Sequence, residues 1–179
     1  TSPTANTLNG VAFGNNTFVG VGEPGFGEPG IIVRSTDNGS SFDNVTSPRG
    51  SSLFGVTFGN NTFVTVGNNR TIVRSTDNGS SFDNATSPTA NQLNGVTFGN
   101  NTFVAVGTDG NIVRSTDNGS SWDNATSPIG TYLYGNTFGN NTFVAVGSGG
   151  KIVRSTDNGT NWDNSTSPTG NGLYGVTFG

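Results

Sequence analysis

Apolar residues along this chain come in short runs, and polar turn residues cut every run short. In the clearest segment, Leu93 to Phe98 ends at Gly99-Asn100-Asn101, and Thr102 to Val106 ends at Gly107-Thr108-Asp109-Gly110. Ile112 to Ser115 then ends at Asp117-Asn118-Gly119, and a fourth run, Ser121 to Asn124, is led by Trp122. Ala125 to Ile129, with Pro128 inside it, is a connection. β-Branched and aromatic runs bounded by Asn-Gly, Asn-Asn and Asp-Gly pairs predict four strands in an up-and-down antiparallel meander. No apolar spacing of 3.6 is sustained, so helices are not expected.

The same segment recurs. Units open at Leu8, Leu53, Leu93, Leu133 and Leu173, at spacings of 45, 40, 40 and 40 residues. The five extra residues of the first unit fall within 23–30, which reads Glu-Pro-Gly-Phe-Gly-Glu-Pro-Gly. A fixed period in this range marks a solenoid, propeller or array. Within each unit the second run is apolar on both sides: Phe103 and Ala105 point one way, Val104 and Val106 the other. A sheet apolar on both faces must be covered on both, and like units stacked about an axis achieve this. The expected fold is therefore an all-β propeller of four-stranded antiparallel blades. Four blades are expected at about 8–47, 53–87, 93–127 and 133–167, with a surplus first strand at 173–178. Four blades could close alone, or two chains could form an eight-bladed ring; residues 8–13 and 173–178 would compete for equivalent slots and could exchange between copies.

The motif Ser-x-Asp-x-Gly-x-x-Trp stands at Ser115 to Trp122 and Ser155 to Trp162, and with Phe in the last place at Ser35 to Phe42 and Ser75 to Phe82. It resembles the Asp-box, or BNR repeat, of sialidase-type propellers. The resemblance implies a hairpin between the third and fourth strands of each blade. It casts Asp37, Gly39, Asp77, Gly79, Asp117, Gly119, Asp157 and Gly159 as turn residues, the Asp accepting backbone N–H groups and the Gly taking a positive φ. Their spacing does not match a calcium loop, and no metal or cofactor is expected.

Composition narrows the function classes. The chain has 29 Gly, no Cys and no His, and its net charge is −4. Disulfide, thiolate and sulfur–metal chemistry are excluded. Without a basic cluster, nucleic acid is not an expected partner, and no apolar run is long enough for a membrane helix. The missing Met and leader suggest a processed form or an excerpt of something longer. Richness in Asn, Ser, Thr and Gly with little Lys suggests an extracellular or cell-surface setting. Three Asn-x-Ser/Thr sequons per unit, as at Asn100, Asn118 and Asn124, are also ordinary turn sequences.

A hydrolase is the obvious fold-level analogy. Arg34, Arg74, Arg114 and Arg154 sit at one position in every unit and would be spread around a ring, and Glu occurs only at Glu23 and Glu28. No convergent acid–base pair is expected, so the chain is read as no enzyme, with a sialidase-like hydrolase fragment as a third choice.

Divergence among units is one-sided. In a meander, the 1–2 and 3–4 turns share one end of the sheet, while the 2–3 loops and the blade-to-blade connections share the other. The first set is nearly invariant; the second varies, bringing Glu23, Phe26, Glu28, Arg70, Asp109, Tyr132 and Lys151 to one face. Phe54, Tyr134 and Tyr174 differ from Asn9 and Asn94 near its central mouth. These are the candidate binding and interface residues, with Phe26 expected to meet an adjoining subunit or ligand. The leading expectation is a non-catalytic structural, self-assembling scaffold or interaction module, with copies of itself, and a glycan or a cell-surface protein, as the expected partners. The alternative is a multivalent carbohydrate-binding module.

Overall fold

A computed structural model describes residues 3–25 and 28–179. Each apolar run forms a strand. Blade 1 holds β1 (Leu8–Gly14), β2 (Thr17–Gly22), β3 (Ile31–Ser35) and β4 (Asp43–Val45). Blade 2 holds β5 (Leu53–Gly59), β6 (Thr62–Gly67), β7 (Ile72–Ser75) and β8 (Asp83–Asn84). Blade 3 holds β9 (Leu93–Gly99), β10 (Thr102–Gly107), β11 (Ile112–Ser115) and β12 (Asp123–Asn124). Blade 4 holds β13 (Leu133–Gly139), β14 (Thr142–Gly147), β15 (Ile152–Ser155) and β16 (Asp163–Ser165). Every sheet is an antiparallel meander with strands in sequence order. The fold is the expected β-propeller architecture.

The turns explain the strand ends. Asn100 and Asn101 both take positive φ, 49° and 57°, which the tight 1–2 hairpin requires. The fourth strand is shorter than the expected Ser121 to Asn124, because Trp122 precedes the ladder and packs inward at 5% exposure.

The cores lie between blades rather than within them. Val104 and Val106 of blade 3 pack with Leu133, Phe143, Val153 and Trp162 of blade 4. Phe103 and Ala105, from the opposite side of the same strand, pack with Val64, Val66 and Ile72 of blade 2. Each blade thus has a leading face, of the Val104 kind, and a trailing face, of the Phe103 kind. Burying a Val or Phe side chain contributes about 1.5–3 kcal/mol, so the joints between blades carry most of the stability. The first strands approach closely: the space beside Gly14, Gly59 and Gly99 is filled by the rings of Phe58, Phe98 and Phe138 from the next blade, leaving no room for a Cβ.

Four blades do not close into a ring. On the trailing face of blade 1, Leu8, Val11 and Phe13 are 43%, 65% and 53% exposed, whereas Leu53, the counterpart of Leu8, is fully buried. Residues 173–179 form no strand ladder, unlike the strand expected at 173–178, since no second strand lies beside them to pair with. They do occupy the slot of a fifth first strand: the Phe178 ring fills the space beside Gly139 as Phe138 does beside Gly99. Residues 8–13 and 173–178 therefore sit in separate slots at opposite ends of the arc.

Candidate interaction faces

Each 3–4 turn is built by its own side chains. Ser115 Oγ donates to Asp117 Oδ1 at 2.8 Å and accepts from the Gly119 N–H at 2.9 Å. Asp117 also accepts from the Ser121 N–H at 2.9 Å and from Ser121 Oγ at 2.6 Å. Asn118 and Gly119 take positive φ, 57° and 76°. Donors from the residue four positions on pull these carboxyls below the usual carboxylate range. Asp77 and Asp117 fall to about 2, led by the hydroxyls of Ser81 and Ser121, and Asp157 to about 2, led by the Asn161 N–H. Asp37 is lowered further, chiefly by the Ser41 hydroxyl. The four carboxylates are engaged in their own turns, and among the described residues no group of three acidic side chains gathers that could hold a metal.

The turn also joins neighbouring blades. Arg34 Nε donates to the Asn78 carbonyl at 2.8 Å, Arg74 Nη1 to that of Asn118 at 3.2 Å, and Arg114 Nε to that of Asn158 at 3.1 Å. In the third and fourth turns, the buried indoles of Trp122 and Trp162 donate to the carbonyls of Gly119 and Gly159 at 3.1 and 3.0 Å. The arginines' joint role escaped the sequence reading. Their fixed place three residues before each Asp was the available signal.

The two ends of the arc are chemically distinct. The invariant end carries an asparagine lattice between blades: Asn60 donates to Asn118 Oδ1 and Asn100 to Asn158 Oδ1, both at 3.1 Å. The other end carries the variable loops. There the Gly30 N–H meets the Arg49 carbonyl at 2.9 Å, Asn91 donates to Asp109 at 3.2 Å, and Thr89 donates to Asn111 at 2.8 Å. Glu23, Glu28, Arg70, Asp109 and Lys151 are exposed and stand one blade apart or more, except the two glutamates of blade 1. Phe26 lies outside the described residues.

The mouth residues prove to be bulges. Pairing jumps from Leu53 to Gly55, and likewise in the other first strands, so Asn9, Phe54, Asn94 and Tyr134 are each the extra residue. A bulge re-aims its side chain. Asn9 donates to the Leu53 carbonyl at 2.9 Å and Asn94 to that of Leu133 at 2.7 Å, so both serve the joint to the next blade. Tyr134 stacks on Tyr174 with ring centres 4.9 Å apart and meets Tyr132 edge-on at 6.5 Å. Tyr132 and Tyr174 remain 49% and 76% exposed, and among the described candidate residues this trio converges.

A second apolar surface was not anticipated as a site. Leu8, Gly10, Val11, Gly20, Val33, Gly39 and Phe42 line a hollow of about 550 Å³ on the trailing face of blade 1. Where Gly79, Gly119 and Gly159 abut a valine of the preceding blade, Gly39 has nothing within 4 Å.

A family model described as "DUF6242 beta propeller domain" matches residues 36–173, more than half of the chain, and the chain belongs to that family. No curated protein matches it. Among solved structures it is similar to YCF48 bound to D1 peptide, with TM-score 0.75 and 19% identity over 99% of this chain and 58% of that one. It is also similar to YCF48 from Cyanidioschyzon merolae, with TM-score 0.71 and 18% identity over 94% and 60% of the two chains. A GH74 enzyme from Niastella koreensis matches with TM-score 0.64 and 22% identity over 90% of this chain and 24% of the enzyme. At these identities the likeness is one of fold. The chain spans 58% and 60% of the two YCF48 chains.

Proposed function

We propose that the chain, as a member of the DUF6242 β-propeller family, works as a non-catalytic, self-assembling scaffold and interaction module, whose partners are copies of itself or a protein at the cell surface. We read its 3–4 turns as Asp-boxes of the sialidase type put to structural use. The observation that supports this reading most is where the recurring ionisable groups go. The four Asp carboxylates accept hydrogen bonds within their own turns, and three of the four recurrent arginines donate to the next blade. General acid–base work needs titratable groups converging on a substrate, whereas the carboxylates are engaged by hydroxyls and N–H groups of their own turns and the three arginines by carbonyls of the next blade. Peptide binding by a protein of similar fold is seen in YCF48, described as bound to D1 peptide. The test is hydrolysis of aryl sialosides and β-glucans by the purified chain; turnover that Asp117→Asn reduces while the fold persists would overturn the reading.

One observation favours carbohydrate binding as a second reading. Tyr132, Tyr134 and Tyr174 form an aromatic ledge on the variable side of the arc, and exposed tyrosine rings suit stacking against sugars. Glycan-array signal lost in Tyr132→Ala and Tyr174→Ala, but kept in Lys151→Ala, would select that reading over the scaffold alone.

A further inference from the structure

Arg49, in the connection from blade 1 to blade 2, donates from Nε to Asn84 Oδ1 at 2.8 Å. It is one of two arginines that fall outside the repeat, the other being Arg70. In blade 3 the counterparts of that pair, Thr89 and Asn124, line one hollow of about 440 Å³. We propose that this hollow binds the guanidinium of an arginine presented by another polypeptide, with Asn124 Oδ1 and the Asp109 carboxylate as its acceptors. The proposal deepens the interaction-module reading, on which it rests, by naming the chemistry of the partner.

Three features support the site. First, the frame is the same in both blades. The Ala85 and Ala125 N–H groups donate to the Ile72 and Ile112 carbonyls at 3.0 and 2.9 Å, and the Thr71 and Asn111 N–H groups to the Asn68 and Thr108 carbonyls, both at 3.0 Å. Second, the floor is covered in the blade that holds the arginine. Ala85 and Thr71 are 5% and 1% exposed, whereas Ala125 and Asn111, in their places, are half-buried. That difference agrees with the Arg49 stem lying over the floor of blade 2. Third, the donors of the hollow are already engaged while its acceptors are not. Thr89 Oγ1 donates to Asn111 Oδ1 at 2.8 Å, Asn111 Nδ2 to the Thr108 carbonyl at 2.9 Å, and Ser127 Oγ to the Ile129 carbonyl at 3.1 Å. Asn124, unlike Asn84, makes no side-chain hydrogen bond among the described residues. Asp109 accepts from Asn91 at 3.2 Å through Oδ2, which leaves Oδ1 open.

Charge selects blade 3 over blade 4. The matching hollow of blade 4 is lined by Asn164, but it carries Gly149 where blade 3 has Asp109 and Lys151 where blade 3 has Asn111. A lysine there opposes a second cation, while Asp109 attracts one. The two acceptors of blade 3 come from separate elements, the 2–3 loop and β12. A guanidinium is a planar fork of five N–H donors and can serve both at once, whereas an ammonium is a compact, strongly hydrated point charge. Ile112 and Ala125 give the hollow an apolar wall suited to the methylene stem of arginine. Exposed charge contacts contribute little singly, so the hollow acts as one anchor within a wider contact.

The experiment is an amide NMR titration of the full chain with the capped peptide acetyl-Gly-Arg-Gly-amide, followed at the Asn124 side-chain amide and the Gly110 N–H. Both signals are expected to shift and to saturate near millimolar peptide, while the lysine peptide acetyl-Gly-Lys-Gly-amide binds at least about threefold more weakly. Asp109 has a positive φ of 55°, which asparagine tolerates. Asp109→Asn is therefore expected to keep the loop and to weaken the arginine peptide about threefold to fivefold. Thr89→Arg repeats Arg49 in blade 3 and is expected to fill the hollow and abolish the shifts. Equal binding of the two peptides, or binding that neither Asp109→Asn nor Thr89→Arg changes, overturns the site. Absence of any shift with the arginine peptide also overturns it, and leaves standing the scaffold reading, which hydrolysis tests separately. Tighter binding of free L-arginine than of the capped peptide overturns the polypeptide partner in favour of a small molecule.

Discussion

The guanidinium of Arg34 reaches across from blade 1 to the carbonyl of Asn78 in the 3–4 turn of blade 2, at 2.8 Å. Arg114 repeats the bond to Asn158, but Arg154 makes no such bond. Hydrogen bonds involving a charged group contribute about 1.5–3 kcal/mol when shielded, and toward about 1 when part-exposed as here. Arg34→Ala and Arg114→Ala are therefore expected to lower unfolding free energy by about 1 kcal/mol. Arg154→Ala in dilute protein should stay within about 0.5 kcal/mol of the parent. Urea denaturation of the three variants decides it; equal costs at all three positions would show that the bond is not the source.

Acid should loosen the turns in a narrow window. The carboxyls of Asp77, Asp117 and Asp157 are held down to about 2, and that of Asp37 lower still, by donors in their own turns. In the unfolded chain Asp titrates near about 3.9. A group whose folded pKa is depressed contributes stability that is complete above the unfolded value and lost as pH falls through the folded one. The melting temperature should therefore hold from neutral pH to about pH 5 and fall steeply between about pH 4 and pH 2. With no histidine in the chain, a decline centred between pH 6 and 7 would contradict this account. Thermal melts by circular dichroism across that range are the measurement.

Much of this architecture was legible because each repeat states its own reasons. The alternation of Phe103 and Ala105 with Val104 and Val106 announces two buried faces, and the structure places those residues in two different cores. The Ser-Thr-Asp-Asn-Gly turn was likewise legible, since its hydrogen bonds run between residues two and four positions apart. What could not be read was whatever joins residues forty or more positions apart. Arg34 bonds Asn78, and the bulge at Asn94 aims its amide at Leu133. Neither follows from local pattern, because the rotation between blades sets both. For the same reason ring closure could not be read. The sequence of Leu8–Gly14 is that of an ordinary first strand, and only its neighbours decide whether Val11 is buried.

Trp122 and Trp162 test the value of the buried indole bond. Each donates to the carbonyl of the turn glycine three residues earlier, at 3.1 and 3.0 Å, while Phe82 fills the same place with no donor. Trp122→Phe leaves the Gly119 carbonyl without that partner in a buried setting and removes ring volume. A cost of about 1–3 kcal/mol follows from the bond and the lost contacts. Chemical denaturation monitored at the remaining tryptophan gives the value, and a neutral substitution would place the turn's stability in Asp117 and Ser115 alone.

Asn136 breaks the repeat where a valine stands in the other units, at Val11, Val56, Val96 and Val176. Its Nδ2 donates to the Val104 carbonyl at 2.9 Å, but its Oδ1 is buried and accepts no hydrogen bond. An unsatisfied buried acceptor costs about 1–3 kcal/mol, and the one bond made returns about 1. Valine at this position has a template in Val96, which packs against the core shared by blades 2 and 3. Asn136→Val should thus stabilise the chain by about 1 kcal/mol, raising the melting temperature by roughly 2–4 °C for a chain of this size. The reverse exchange, Val96→Asn, should destabilise, since it buries an amide in a joint built for a valine. If Asn136→Val instead lowered stability, the bond to Val104 would outweigh the orphaned oxygen, and the asparagine would be a fastener between blades 3 and 4.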